Sequence, residues 1–409
     1  MSRIVTVALA GVGGYGDFYL SHLAAAGDQH QVKLVAGIDP AGEKVPHWNA
    51  LKSQGVALFT SMEDYYANGP RADIMVLALP IHLHAPETIR ALEHGMHVVC
   101  EKPLCATLDE ARAMIAARDK AGKIVTIGYQ WSFGDAVQKL KNDVIAGVLG
   151  KPRRLKCIAL WPRKRSYYQR SSWAGARQTR DGAWVLDSPA NNATSHYLHN
   201  IFYTLGPSTG RSARPVEALA ELYRANPITN FDTSAARFRT EAGVEVLYYC
   251  SHAVERTVGP RFQYEFEKAT VHYELDGEFR VTFADGRTAS YGNPDPDSGR
   301  KLWHTAQAIV DRASLPDSPV DRASLPDKLA CPIEAAMGQT AAIAAMHRSV
   351  PDVVEFPADV RRVTTDDKGD TLTHVDGLID TLLKCYDQNK LPHELNVPWA
   401  KPGRRVTLE

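Results

Sequence analysis

Three groups of residues in this chain have the types and spacing that chemistry needs. The first is Gly11-Val12-Gly13-Gly14-Tyr15-Gly16, where Gly11, Gly13 and Gly16 keep a G-x-G-x-x-G spacing. In that pattern the first glycine makes a tight turn. The second lets a pyrophosphate touch the backbone, and the third lets a helix pack closely on a strand. A helix starting there points its free N–H groups and positive dipole end at phosphates, and Gly14 and Tyr15 belong to the same phosphate-facing turn. A second apolar run, Val32 to Ile38, ends on Asp39, at the distance where an acid takes ribose hydroxyls. An acid there repels a 2′-phosphate, so NAD is the expected cofactor. Lys44, close by in sequence, keeps NADP as the second option.

The second group follows three further apolar runs: Leu79-Pro80-Ile81-His82-Leu83-His84, Glu101-Lys102-Pro103 and Gly128-Tyr129-Gln130. In an open α/β sheet a ligand lies outside the carboxyl ends of the strands. Leu79, Pro80, His84, Glu101, Lys102 and Gln130 are therefore expected along the cofactor, with His84 beside the nicotinamide. Pro103 biases Lys102 to an extended backbone. Its ammonium can then bond a substrate hydroxyl, lower the hydroxyl pKa and stabilise the alkoxide as hydride leaves. His82, His84, His94 and His97 are close in sequence, but this spacing does not build a closed zinc site, and no metal is expected.

The third group is Trp161-Pro162-Arg163-Lys164-Arg165-Ser166-Tyr167-Tyr168-Gln169-Arg170-Ser171-Ser172-Trp173. Sugars stack on aromatic faces, and a guanidinium binds hydroxyls or a carboxylate in a fork. Trp161, Arg163, Tyr168, Arg170 and Trp173 are expected to form a substrate wall. Its arginines suggest an acidic substrate such as a sugar acid. The competing reading is a basic loop solvated at a subunit rim.

The elements that must position these residues fall into two domains, 1–130 and 131–409, as the length suggests. Strand and helix alternate to about residue 130, which predicts a Rossmann, doubly wound parallel sheet in an α/β fold. Thr107-Leu108-Asp109-Glu110 reads as a capping box. Beyond it, longer strands from Arg153 to Phe283 joined by tight turns predict an α+β domain on a large, mostly antiparallel open sheet. One face would meet helices and the other a second subunit. The heptapeptide Asp-Arg-Ala-Ser-Leu-Pro-Asp occurs at 311–317 and again at 321–327, as a duplicated surface loop. Residues 351–370 read as loop, and a last helix is expected over Leu372 to Tyr386. The 47 basic and 47 acidic residues cancel, which argues against nucleic acid. No run suits a membrane span, and with no leader or cysteine framework the expected compartment is cytoplasmic.

The glycine motif, Leu79-Pro80 with His82 and His84, and His97-Val98-Val99-Cys100-Glu101-Lys102-Pro103-Leu104 together resemble the Gfo/Idh/MocA oxidoreductases. The stretch His196 to Gly206 resembles that family's second-domain helix. The resemblance implies an NAD(P)-dependent dehydrogenase of a sugar, polyol or related secondary alcohol, assembled as a homodimer or homotetramer through the C-terminal sheet. It implies that Lys102 is the catalytic lysine and His196 the proton acceptor. Asn192 stands where the family usually has an aspartate, and His199 where a second one is common. Both are assigned to substrate binding. Ile81 and Ser132 replace an expected asparagine and arginine. An asparagine cannot take a proton, so His196 lacks a carboxylate unless Asp187 folds in.

The reading is hydride transfer between a nicotinamide and a secondary hydroxyl or carbonyl of a sugar, polyol or sugar acid. Two alternatives share the fold: NAD-dependent glycoside cleavage or elimination with the cofactor recycled, and a non-catalytic NAD-binding sensor.

Overall fold

A computed structural model describes residues 3–295, 297–313 and 327–408. The first sheet contains β1 (Val5–Ala10), β2 (Val32–Ile38), β3 (Ala57–Phe59), β4 (Ile74–Leu77), β5 (His97–Cys100) and β6 (Val125–Ile127). All pairs are parallel, in the order β3-β2-β1-β4-β5-β6. The α/β expectation holds. β4 is buried at every position, as a strand covered on both faces must be. Helices α1 (Gly16–Ala26), α2 (Trp48–Ser53), α3 (Met62–Asn68), α4 (Ile81–Glu93) and α5 (Leu108–Ala121) make the crossovers. The capping box forms: Glu110 N–H donates to Thr107 Oγ1 at 3.2 Å, and Thr107 N–H to Glu110 Oε2 at 2.8 Å. Helix α4 starts at Ile81, directly after Pro80, where β4 has already ended.

The chain then passes α6 (Asp135–Ile145) and builds the second sheet. Its strands are β7 (Pro152–Leu160), β8 (Pro215–Arg224), β9 (Thr233–Thr240), β10 (Glu245–Ser251), β11 (Val258–Phe266), β12 (Ala269–Glu274), β13 (Phe279–Phe283), β14 (Thr288–Gly292) and β15 (Val354–Glu355). They lie in the order β14-β13-β12-β11-β7-β10-β9-β8-β15. Most neighbours are antiparallel, but β7 with β10 and β8 with β15 run parallel. The excursion after Leu160, through α7 (Arg165–Gln169) and α8 (Ser195–Thr204), brings the β8-β9-β10 meander back alongside β7 in the same direction.

Period-two alternation splits this sheet between two cores. Leu155, Cys157, Ala159, Val246 and Tyr248 face inward, with α8 and α10 (Ile333–Ser349) in the same core. Ile158, Leu160, Leu247 and Tyr249 face outward, and there they meet the chain's own residues Phe356, Val375, Leu378, Leu382, Tyr386 and Trp399. This covering segment departs from expectation. It contains a hairpin, β16 (Arg361–Thr365) with β17 (Thr371–Val375), where a loop and the start of a helix were expected. Gly377 at φ 65° separates strand from helix, so α11 begins only at Leu378 and ends at Gln388.

Helix α9 (Arg300–Ala313) has no counterpart in the sequence expectations. Leu302, Trp303, Ala306 and Ile309 recur at helical spacing and pack with Val5, Val7 and Leu9 of β1. A late helix therefore completes the cover of the first sheet. The duplicated heptapeptides fall on 314–326, outside the described residues, except at their ends. Among the described residues no helix is long and apolar enough to cross a membrane.

Candidate active site

The turn after β1 is built as the glycine spacing requires. Gly11 has φ 84°, and a Cβ there would sit 2.3 Å from the Ala78 carbonyl oxygen. A Cβ on Gly16 would sit 1.9 Å from the Gly11 oxygen, so helix and turn touch backbone to backbone. Gly14 has nothing within 4 Å of its Cβ position, which leaves an open side to the turn. Asp39, at the end of β2, accepts from Gly13 N–H at 3.0 Å and from Ala41 N–H at 2.9 Å. A bare backbone cradle at the first turn of α1 with a carboxylate beside it suits a dinucleotide: amides for the pyrophosphate, the acid for a ribose diol.

Lys102 and Glu101 follow β5. The Lys102 ammonium donates to the Asn192 backbone oxygen and to Asn192 Oδ1, both at 3.2 Å. Asn192 Nδ2 in turn donates to Asp187 Oδ1 at 2.7 Å. Asp187 is 2 % exposed and also accepts from Gly175 N–H at 2.6 Å and from Arg170 at 3.4 Å. A carboxylate accepts only, so it fixes the asparagine amide with Nδ2 toward Asp187 and Oδ1 toward the lysine. Asp187 has folded in, five residues before the asparagine that replaces the expected acid. Burial raises its carboxyl above the ordinary range, against the pull of Arg170 and its hydrogen bonds. Burial lowers the Lys102 ammonium, with Glu101 opposing and Lys301 adding to the effect.

Glu101 faces the other way. Its carboxylate takes the Tyr19 hydroxyl at 2.7 Å and pairs with the ammonium of Lys301, from α9. Burial pushes this acid up, but the Lys301 charge and the two donors prevail and hold it low. Lys301 is fully buried and lies 4.8 Å from the ring centroids of both Tyr15 and Tyr19. Sequence reasoning missed Lys301, which lies two hundred positions from its partner. The available signal was a lysine on the apolar stripe of an amphipathic helix.

His196 opens α8, and its Nδ1 is buried without a hydrogen-bond partner among the described residues. Burial and the nearby Lys102 and Lys301 charges hold its imidazole well below the usual histidine range, so it is neutral near pH 7. Tyr129 meets it edge-on at 5.7 Å and stacks on His199 at 3.9 Å. His199 is 1 % exposed, and its Nε2 lies 2.8 Å from Ser132 Oγ. It lies one turn deeper than His196 and supports Tyr129. His84 is equally buried. Its ring nitrogens contact the Pro103 carbonyl at 2.7 Å and the Leu79 carbonyl at 2.9 Å, tying together the two strand-end turns that hold Pro80 and Lys102. Gln130 reaches Asp295 at 3.1 Å.

In the aromatic-arginine stretch two guanidinium groups share the Tyr167 ring. Arg170 lies 3.8 Å from the Tyr167 ring centroid and 5.1 Å from that of Trp173, and it contacts Asp187. Arg163 lies 5.1 Å from the Tyr167 ring and 5.7 Å from Trp161. Trp161 meets Tyr197, the residue after His196, edge-on at 5.5 Å. The Tyr168 hydroxyl is buried without a hydrogen-bond partner among the described residues, beneath this layer. A cleft of about 910 Å³ elsewhere, lined by Arg3, His30, Gln31 and Trp303, contains none of these groups and opens at the amino ends of β1 and β2. Glu255, His374 and Asp376 converge within 4.8 Å at the β16-β17 hairpin, but Arg362 already takes Asp376 at 2.6 Å.

A parallel sheet in 3-2-1-4-5-6 order, a glycine cradle and a second domain facing the strand ends define a two-domain nucleotide-binding protein. Residues 5–129 match the family described as "Oxidoreductase family, NAD-binding Rossmann fold", GFO_IDH_MocA. Over these residues the chain is similar to the NAD-binding Rossmann domain of the Gfo/Idh/MocA oxidoreductases. Among curated relatives, the myo-inositol dehydrogenase Hyg17 of Streptomyces leeuwenhoekii is 30% identical over 157 residues, 38% of this chain and 46% of that protein. The chain thus matches less than half the length of that relative. WlbA dehydrogenase of Bordetella pertussis, solved with NADH and UDP-GlcNAcA, superposes with a TM-score of 0.65 at 22% identity, covering 85% of this chain and 97% of that one. Aldose-aldose oxidoreductase of Caulobacter crescentus, complexed with glycerol, gives 0.66 at 20%, covering 85% and 98%. At these identities the structures show the fold alone.

Proposed function

We propose that the chain is an NAD-dependent dehydrogenase acting on a secondary hydroxyl, or the matching carbonyl, of a sugar, polyol or sugar acid. The observation that carries this reading is the Lys102-Asn192-Asp187 chain of hydrogen bonds, which presents an ammonium of lowered pKa on a fixed amide. The Gly11–Gly16 turn and Asp39 would hold the dinucleotide, which supplies the hydride acceptor or donor. Lys102 donates to the reacting oxygen and stabilises negative charge on it. Its depressed pKa makes it a stronger acid than an ordinary lysine and a better match to a hydroxyl. The neutral imidazole of His196 takes the hydroxyl proton on oxidation. Asn192 and the Trp161–Trp173 wall orient the ring. The family resemblance and the named dehydrogenases among the relatives support the same chemistry. Assembly as a homodimer or homotetramer through the large sheet is proposed only for the strip β11–β14, where residues such as Thr270, His272 and Arg280 face outward uncovered.

The test is a panel of sugars, polyols, sugar acids and glycosides with NAD and NADP, followed at 340 nm and by product analysis. The reading expects NADH in proportion to oxidised product, with NAD preferred. Product without net NADH would move the assignment to cofactor recycling. Cofactor binding with no turnover on any compound would favour the sensor.

A further inference from the structure

The charges around Asn192 do not balance, and their imbalance narrows the substrate. The cations of this region are Lys102 on Asn192, Arg170 on Asp187, and Arg163, which shares the Tyr167 ring with Arg170; the carboxylate among them is Asp187. Glu101 and Lys301 neutralise each other. Three positive groups therefore stand against one negative group, and burial raises the pKa of that one. Each basic residue of the wall has a different fate. Lys164 pairs with Asp366 of the β16-β17 hairpin, and Arg170 with Asp187. Arg165 is exposed to solvent. Arg163 is half-buried against Trp161 and Tyr167; its side chain donates to the Pro162 carbonyl at 3.2 Å and bonds the Tyr167 hydroxyl, and among the described residues it pairs with no carboxylate.

An arginine braced by aromatic rings and left without a carboxylate is a prepared anion receptor. The rings restrict the guanidinium plane, and its N–H edge matches a carboxylate in bidentate geometry. The loop itself is anchored, since Ser166 Oγ donates to Asp370 at 2.6 Å and its N–H to the same carboxylate at 3.2 Å. We infer that the substrate carries a carboxylate and that Arg163 binds it, so that Arg163 selects sugar acids over their neutral counterparts. This rests on the dehydrogenase reading for the identity of the site, but it can fail separately.

The test measures binding to the NADH-loaded protein by fluorescence titration. The probes are three pairs: D-gluconate with D-glucitol, D-glucuronate with D-glucose, and D-galacturonate with D-galactose. The inference expects at least one acid to bind about tenfold or more tighter than its neutral partner, with affinity falling as salt rises. Arg163→Met erases the difference between acid and neutral, and Arg163→Lys restores part of it. No acid preference in any pair, or a preference that survives Arg163→Met in a folded protein, overturns the inference whether or not turnover is seen. Lys102-dependent turnover confined to neutral sugars would overturn it while leaving the dehydrogenase reading intact. Acid preference without any Lys102-dependent turnover would do the reverse.

Discussion

On the inner face of the large sheet, Leu155, Cys157 and Ala159 pack in the core that contains Leu198 and Ile201 of α8, the helix His196 opens. On the outer face, Ile158 and Leu160 of the same strand pack under the chain's own residues 356–399. The polar groups differ more than the apolar ones. Three outer-face groups bond the cover directly: Lys156 donates to the Tyr386 carbonyl at 2.7 Å, the Tyr249 hydroxyl to Lys390 O at 2.8 Å, and Arg237 to Glu394 at 2.8 Å. On the inner side, His196 Nδ1 is buried without a hydrogen-bond partner among the described residues, and Lys102 and Arg170 engage the Asn192-Asp187 pair from either end. The outer contacts tie the cover to the sheet, while the inner side gathers Lys102, Asp187 and His196, all shifted by burial, around Asn192. Perturbed titrating groups gathered between domains are the expected signature of a reaction site.

If that contrast is right, inner substitutions change turnover and outer ones change stability. The largest effect is expected at Lys102→Ala, a fall of about 10²–10⁴ in turnover, equivalent to about 3–5 kcal/mol of barrier. NADH affinity and thermal midpoint should barely move, and equal activity in the variant would remove Lys102 from the mechanism. Trp399→Ala is the outer counterpart. Trp399 packs edge-on against Tyr223 at 5.0 Å and Phe356 at 5.1 Å. Its loss should cost about 3 kcal/mol in urea unfolding, while kcat of the folded fraction stays at the wild-type level. A kcat loss matching that of Lys102→Ala would break the contrast.

Asp187→Ala should lower kcat by up to about 10²-fold, because Asn192 loses the group that orients its amide and Lys102 its fixed partner. KM should change less, since Asp187 is buried behind Asn192. The pH profile sharpens this point. Because burial and two ammonium groups depress His196, its imidazole stays neutral to lower pH, and the acid limb of oxidation should lie below the ordinary histidine range. The alkaline limb should lie below the ordinary lysine range, because Lys102 is depressed too.

The smallest effect concerns Lys141, which is fully buried and capped by the Tyr203 and Arg211 carbonyls. Burial pushes its ammonium down to about 7. Above that pH and up to the ordinary lysine range, the unfolded chain holds the extra proton, so stability rises with pH across this window. Lys141→Met should flatten that rise in thermal melts compared near pH 7 and pH 9.

What the sequence revealed follows from distance along the chain. The glycine turn, Asp39 and the strand ends lie within one repeating strand-helix pattern, so local spacing sufficed to place them. Lys102 was legible because a strand end and a proline fix its place. Lys301 and Ser132 were not read as site residues, since each acquires its role from a partner tens to hundreds of positions away; Asp187 was raised only conditionally, because its contact with Asn192 depends on how the intervening loop turns. The outer cover was misread because strand-forming Arg361–Thr365 is exposed and polar, with no alternating apolar pattern to reveal it.

The measurement that tests the central claim most directly is a crystal structure of the protein with NADH and a bound substrate from the 340 nm panel. The account predicts the reacting oxygen at about 2.7–3.2 Å from Lys102 Nζ, with Asn192 still bonded to Asp187. A substrate oxygen bound away from Lys102, with that ammonium engaged only by Asn192, would contradict it.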